Sequence, residues 1–142
     1  MDASSASTVA ASVIAALAFS VGLWQFSKTQ QAIRSNLKLQ ADLLRHEREA
    51  KAIDLFVQFS QIKRESSDLA STPKDFWQHN AMVAVTESIH KIMLGDQEWS
   101  RTVTWMLKTQ EQYLLSNPID RSTFVPSFLE VMREAVPRVR WS

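Results

Sequence analysis

The 142-residue chain contains no cysteine, only two glycines and four prolines, and a single tyrosine. Lacking cysteine, it has no disulfide, no thiolate nucleophile and no thiolate metal ligand, and a body that uses no disulfides agrees with a cytoplasmic location. With Gly22 and Gly95 as its only glycines, it has neither a glycine-rich phosphate loop nor a G-x-S-x-G nucleophile elbow. So little glycine and proline also removes most strand and turn chemistry. Charge of one sign is missing as well. Sixteen Lys and Arg against fifteen Asp and Glu leave a net charge of +1, without the basic field that nucleic-acid binding requires. At this length there is room for one membrane segment and one small domain.

What the chain does have is an uncharged run, Thr8 to Phe26, TVAASVIAALAFSVGLWQF. About 20 apolar residues cross a bilayer as a helix, and this run meets that length, with Trp24, Phe26 and Lys28 at the membrane interface. A secretory signal peptide is the rival reading, and Ala16-Leu17-Ala18 offers a small-x-small cleavage site. Such a peptide begins with basic residues, however. Here only Asp2 carries charge before the run, and the apolar residues continue past Ala18. The first cations, Lys28, Arg34 and Lys38, follow the run, so the positive-inside rule puts the N-terminus outside and the C-terminal part in the cytoplasm. The expected location is the cytoplasmic (inner) membrane, spanned once. Within the run, Ser12, Ala16 and Ser20 recur every four residues, a small-xxx-small spacing that suits either a plain anchor or close helix approach.

From Leu23 to Thr72 no glycine or proline intervenes, and helix formers dominate. The membrane helix is therefore expected to continue as one rod to about Leu69, on the order of 90 Å from Thr8 at 1.5 Å per residue. Leu37, Ala41, Leu44, Ala52, Leu55, Phe59, Ile62 and Leu69 follow steps of three and four, interrupted around Arg48 and Ser66. Residues 27–51 read as a solvated helical stalk, with Glu47 and Lys51 paired at i,i+4 and with Leu37 and Leu44 as candidate contacts to a second copy or a partner. The segment boundaries are 1–7 for an extracytoplasmic tail, 8–26 for the span, 27–51 for the stalk and 52–142 for a helical bundle domain.

In that domain, Thr72 caps a helix that opens at Pro73 and Asp75 and runs to about Leu94, with Gly95 as its left-handed cap. Its expected buried face is Ala81, Met82, Val85, Ile89, Ile92 and Met93. Asp96 caps a third helix, expected to run without interruption to Asn117-Pro118 on an apolar face of Trp99, Val103, Met106, Leu107 and Leu114. Pro126 opens a last short helix that Pro137 ends. Trp105 lies off the main apolar face of its helix and is a candidate contact residue, as are Arg138, Arg140 and Trp141 in the tail. The tail itself is expected to be disordered. The fold class is all-α: a single transmembrane helix, a long stalk helix and a small cytoplasmic helical bundle. This arrangement is similar to that of many small bacterial proteins with one N-terminal span, a likeness of architecture that carries over no functional residue.

One constellation has a catalytic flavour. Glu87-Ser-Ile-His90 puts a carboxylate and an imidazole on one helical face, the E-x-x-H unit that di-metal carboxylate bundles use in pairs. A symmetric dimer would have to supply the second unit, with Glu65 or Glu111 as a further carboxylate. His79 is eleven residues from His90, about 16 Å along a helix, so the two do not share an ion. His46 reads as solvated. Three functions follow in order. The first is a non-enzymatic anchor, adaptor or accessory subunit of a membrane-associated complex, with membrane lipid and a protein partner or its own copies as partners, and with no cofactor or nucleic acid. The second is an oligomerising effector that permeabilises the bilayer, and the third a di-metal enzyme using Glu87 and His90.

Overall fold

A computed structural model describes residues 3–67 and 71–142, and these are helical, with one isolated bridge outside the helices. The helices are α1 (Ala3–Glu65), α2 (Pro73–Ile92), α3 (Gln97–Lys108), α4 (Glu111–Ser116) and α5 (Pro126–Ala135), with a 3-10 turn at Arg121–Thr123. Two compact units divide the chain, residues 1–45 and residues 46–142.

The described residues of the first unit are helix alone. Its apolar segment has a mean hydropathy of 1.9 over its most apolar window, none of it buried against protein, so by length and composition it can cross a membrane; a soluble helix or a signal sequence meets the same test. Ser12, Ser20 and Thr29 turn their hydroxyls back to the carbonyls of Thr8, Ala16 and Gln25 at 2.9 to 3.0 Å. These polar groups are thereby satisfied without water.

The second unit has the core. Ala52 and Phe59 of α1, Met82, Val83 and Ile89 of α2, Val103, Met106 and Leu107 of α3, Leu114 of α4, and Phe128 and Met132 of α5 are buried together. Fully burying one such large side chain contributes roughly 1.5–3 kcal/mol, and this shared core fixes α2 on α3 and α3 on α5. α1 ends at Glu65, earlier than expected, and Leu69 lies outside the described residues.

Local chemistry accounts for the helix starts. Thr72 and Asp75 form a reciprocal capping box, Thr72 Oγ1 accepting from Asp75 N at 3.2 Å and Asp75 Oδ2 accepting from Thr72 N at 3.1 Å. Gly95, with φ of 89°, makes the left-handed turn after α2, and Asp96 then accepts from the backbone N–H groups of Glu98 and Trp99.

Three expectations need correction. Ala81 is exposed, whereas Val83 is buried, because the face α2 turns inward is broader than one i, i+3, i+4 line and also takes in His79, Thr86 and Glu87. The third helix is not continuous: it stops at Lys108 and restarts at Glu111. There Thr109 Oγ1 donates to the Met106 carbonyl at 2.8 Å and Gln110 N donates to Leu107 O, tightening the last turn. Nor is the tail disordered. Ile119 N donates to Arg140 O at 2.8 Å and Ser142 N to Ile119 O at 3.1 Å, a parallel bridge of Ile119 with Trp141 that buries Val139.

Candidate functional site

Two places carry chemistry. The first is the surface of α1 from Thr8 to Lys28. Leu17, Phe19 and Trp24 expose 62%, 69% and 63% of their surface, and Val9, Val13, Ile14, Val21, Leu23 and Phe26 are exposed too. Apolar side chains point outward all round this helix, and none of its most apolar stretch is buried against protein. The Lys28 ammonium lies 5.5 Å from the centre of the Trp24 ring, one turn away, which joins a cation to the aromatic at the polar end of the segment.

The second place joins α2 to the start of α5. Glu87, buried, accepts a hydrogen bond from Val125 N at 2.8 Å and lies 3.3 Å from the Lys91 ammonium. His90 Nε2 is hydrogen-bonded to Ser127 Oγ at 3.0 Å, and its ring lies 5.7 Å from that of Phe128. Partial burial holds the His90 imidazolium below its ordinary pKa of 6.5; the Glu87 carboxylate opposes this and Lys91 adds to it. Glu87 and His90 thus clamp the first turn of α5, and the E-x-x-H spacing has a local structural use. Beside them a cleft of about 200 Å³ is lined by His90, Met93, Gly95, Asp96, Trp99 and Val103.

The remaining sequence candidates are scattered. Glu65 and Glu111 are exposed at the end of α1 and the start of α4, and among the described residues no group of three or more His, Cys, Asp or Glu side chains could hold a metal ion. His79 is buried, its Nε2 donating to Ser67 O at 2.9 Å and its ring stacked at 4.7 Å on Tyr113; His46 is exposed on α1. Burial in turn raises the Tyr113 phenol above its usual value, and its hydroxyl donates to Asn80 Oδ1 at 2.8 Å. Leu37 and Leu44 are exposed on α1. Trp105 is 52% exposed, yet its ring meets those of Phe56 and Phe59 at 6.2 and 6.4 Å, so it closes one side of the core while showing its other side to solvent. Arg138 and Arg140 are exposed, and Trp141 is half-buried with the Arg121 guanidinium 5.2 Å from its ring.

Sequence reasoning missed the join of Glu87 to Val125 and the Arg121–Trp141 contact. Both link positions far apart in the chain without a periodic pattern. No family model matches the chain, and neither a curated protein nor a solved structure matches it.

Proposed function

We propose that the chain is a non-enzymatic, single-pass protein of the cytoplasmic membrane. Its C-terminal helices, on the cytoplasmic side, act as the anchor, adaptor or accessory subunit of a membrane-associated complex. The observation that carries this reading is the outward-facing apolar surface from Val9 to Phe26, which has no protein cover and ends in the Trp24–Lys28 pair. Lipid supplies the missing apolar contact, and the back-bonded hydroxyls of Ser12 and Ser20 need no water there.

The interfacial residues in this reading are Trp24, Phe26 and Lys28, and the sense of insertion follows from the cations that begin at Lys28. Glu87 and His90 have a structural role, holding α5 on α2 through Val125 and Ser127.

Because the chain has no cysteine, single thiols report its topology directly. In intact spheroplasts a membrane-impermeant maleimide is expected to label Ser4→Cys, and to label Ser142→Cys only after lysis. Labelling of Ser142→Cys from outside, or of neither thiol before lysis, contradicts the assignment.

A further inference from the structure

We propose that two copies of this chain pair through the face that α1 and α3 present together in the second unit, with α1 of each copy lying on α3 of the other. Only residues 46–142 take part. Phe56 and Phe59 meet the ring of Trp105, and Lys63 Nζ lies 3.5 Å from Thr109 O, so this part of α1 and α3 ascend side by side in the same sense. Ala52 and Phe59 turn into the core. Ile53 and Val57 are exposed instead, and at 3.6 residues per turn they fall between Phe56, on the α3 side, and Asp54, on the far edge of α1. Glu65, also exposed, stands three turns further along the Asp54 edge.

On α3 the order is reversed. Trp105 stands next to α1, and Arg101 and Lys108, a heptad apart and both exposed, lie past it on the edge away from α1. With Ser100 and Thr104 these three residues line an open recess of about 340 Å³. The face therefore passes from carboxylates on α1, through the apolar surface of Ile53, Val57 and Trp105, to cations on α3. Among the described residues, Asp54, Glu65, Arg101 and Lys108 make no ion pair within the chain. Glu98 lies outside the recess, and Arg64, at the end of the Val57 line, turns its Nε back to Ser60 O at 3.4 Å.

Charge order decides how such a face is covered. A two-fold axis running along the helices, between the copies, sets α1 against α3 twice and keeps every residue at its own height. Ile53 and Val57 then enter the recess of the second copy, between the aliphatic stems of Arg101 and Lys108 and against Trp105. The Arg101 guanidinium, one turn before Trp105, reaches Asp54, one turn before the level of Phe59, and Lys108 reaches toward Glu65. Setting α1 on α1 and α3 on α3 would oppose carboxylates to carboxylates and cations to cations. The contact uses the same surface on both copies, so it closes at two.

This pairing does not rest on the membrane reading. It agrees with it, because the two 46–65 segments run in the same sense, as chains anchored in one membrane require.

The test is the mass of the full-length protein in detergent micelles by sedimentation, with far-ultraviolet circular dichroism as a check on helix content. The unaltered chain is expected to give twice the monomer mass, to form nothing larger as its concentration rises, and to shift toward monomer at high salt. Asp54→Lys with Glu65→Lys, and separately Arg101→Glu with Lys108→Glu, set like charges against each other at both contacts. Each double variant alone is expected to be monomeric with helix content unchanged. Mixed in equal amounts, the two variants are expected to form a mixed dimer, since each edge then meets one of opposite sign. The chain with all four changes is expected to pair with itself again.

A monomeric unaltered chain, a dimer indifferent to these charges, growth past two copies, or a mixture that stays monomeric overturns the proposal. If the chain is a monomer but remains in the membrane, this inference fails and the anchor stands. If it pairs as described but leaves the membrane, the reverse holds.

Discussion

Glu87 is a buried carboxylate with two unlike partners, the backbone N–H of Val125 and the ammonium of Lys91. Removing the carboxylate leaves a partly buried donor without its acceptor, which costs about 1–3 kcal/mol. Glu87→Ala is therefore expected to lower stability in denaturant titrations by about that amount. Glu87→Gln, which keeps an acceptor oxygen, loses less, and Lys91→Ala, at an exposed ammonium, changes stability by about 0–1 kcal/mol. His90 supplies the pH dependence of the same clamp. Its folded pKa lies below the ordinary 6.5, so below that value the unfolded chain takes up the proton first. Stability is expected to be full above pH 6.5 and to fall as pH drops from there to the depressed folded value, a loss that His90→Gln abolishes. A His90 titration followed by nuclear magnetic resonance at or above the ordinary histidine value would contradict this. The sequence displayed the Glu87–His90 spacing plainly, but spacing along one helix cannot reveal that the partners of the pair are Val125 and Ser127, more than thirty positions away.

At the scale of the elements, helix starts were legible and helix interiors less so. Thr72, Pro73, Asp75 and Asp96 act through neighbours three residues away or fewer, so local sequence contains the whole cause. Hydrogen bonds from Thr72 hold the Asp75 carboxyl below its usual range despite some opposing desolvation, with further help from Ser67. Thr72→Ala is expected to cost about 1 kcal/mol by loss of the capping box, measurable as a lower denaturation midpoint with unchanged steepness. The interruption at Thr109-Gln110 was illegible because neither residue is a helix breaker. It depends on Thr109 turning its hydroxyl to Met106 and on the core positions of Leu107 and Leu114, which lie on separate short helices. Likewise, Arg138 to Trp141 has the composition of a loose end, and its order comes from distant partners: the pairing with Ile119, the Leu114 carbonyl and the Arg121 guanidinium over Trp141. Trp105 was half legible: off the main face of α3, as its position implied, and still in ring contact with Phe56 and Phe59.

For the molecule as a whole, the all-helical class and the long apolar N-terminal helix followed from scarce glycine and proline and from the uncharged run. Those two features act over the whole length of α1 and need no tertiary context. The proposed function depends on where that helix resides, since an apolar helix of this length fits a membrane span, a helix covered by other protein, or a signal sequence removed by cleavage. The most direct measurement is the intact mass of the chain recovered from alkaline-carbonate-washed membranes. The anchor reading predicts that the full polypeptide, Met1 or its processed second residue onward, stays in the washed pellet and is released only by detergent. A mature chain beginning near Phe19, or recovery of the full chain in the carbonate supernatant, would contradict the reading and remove the basis for its topology.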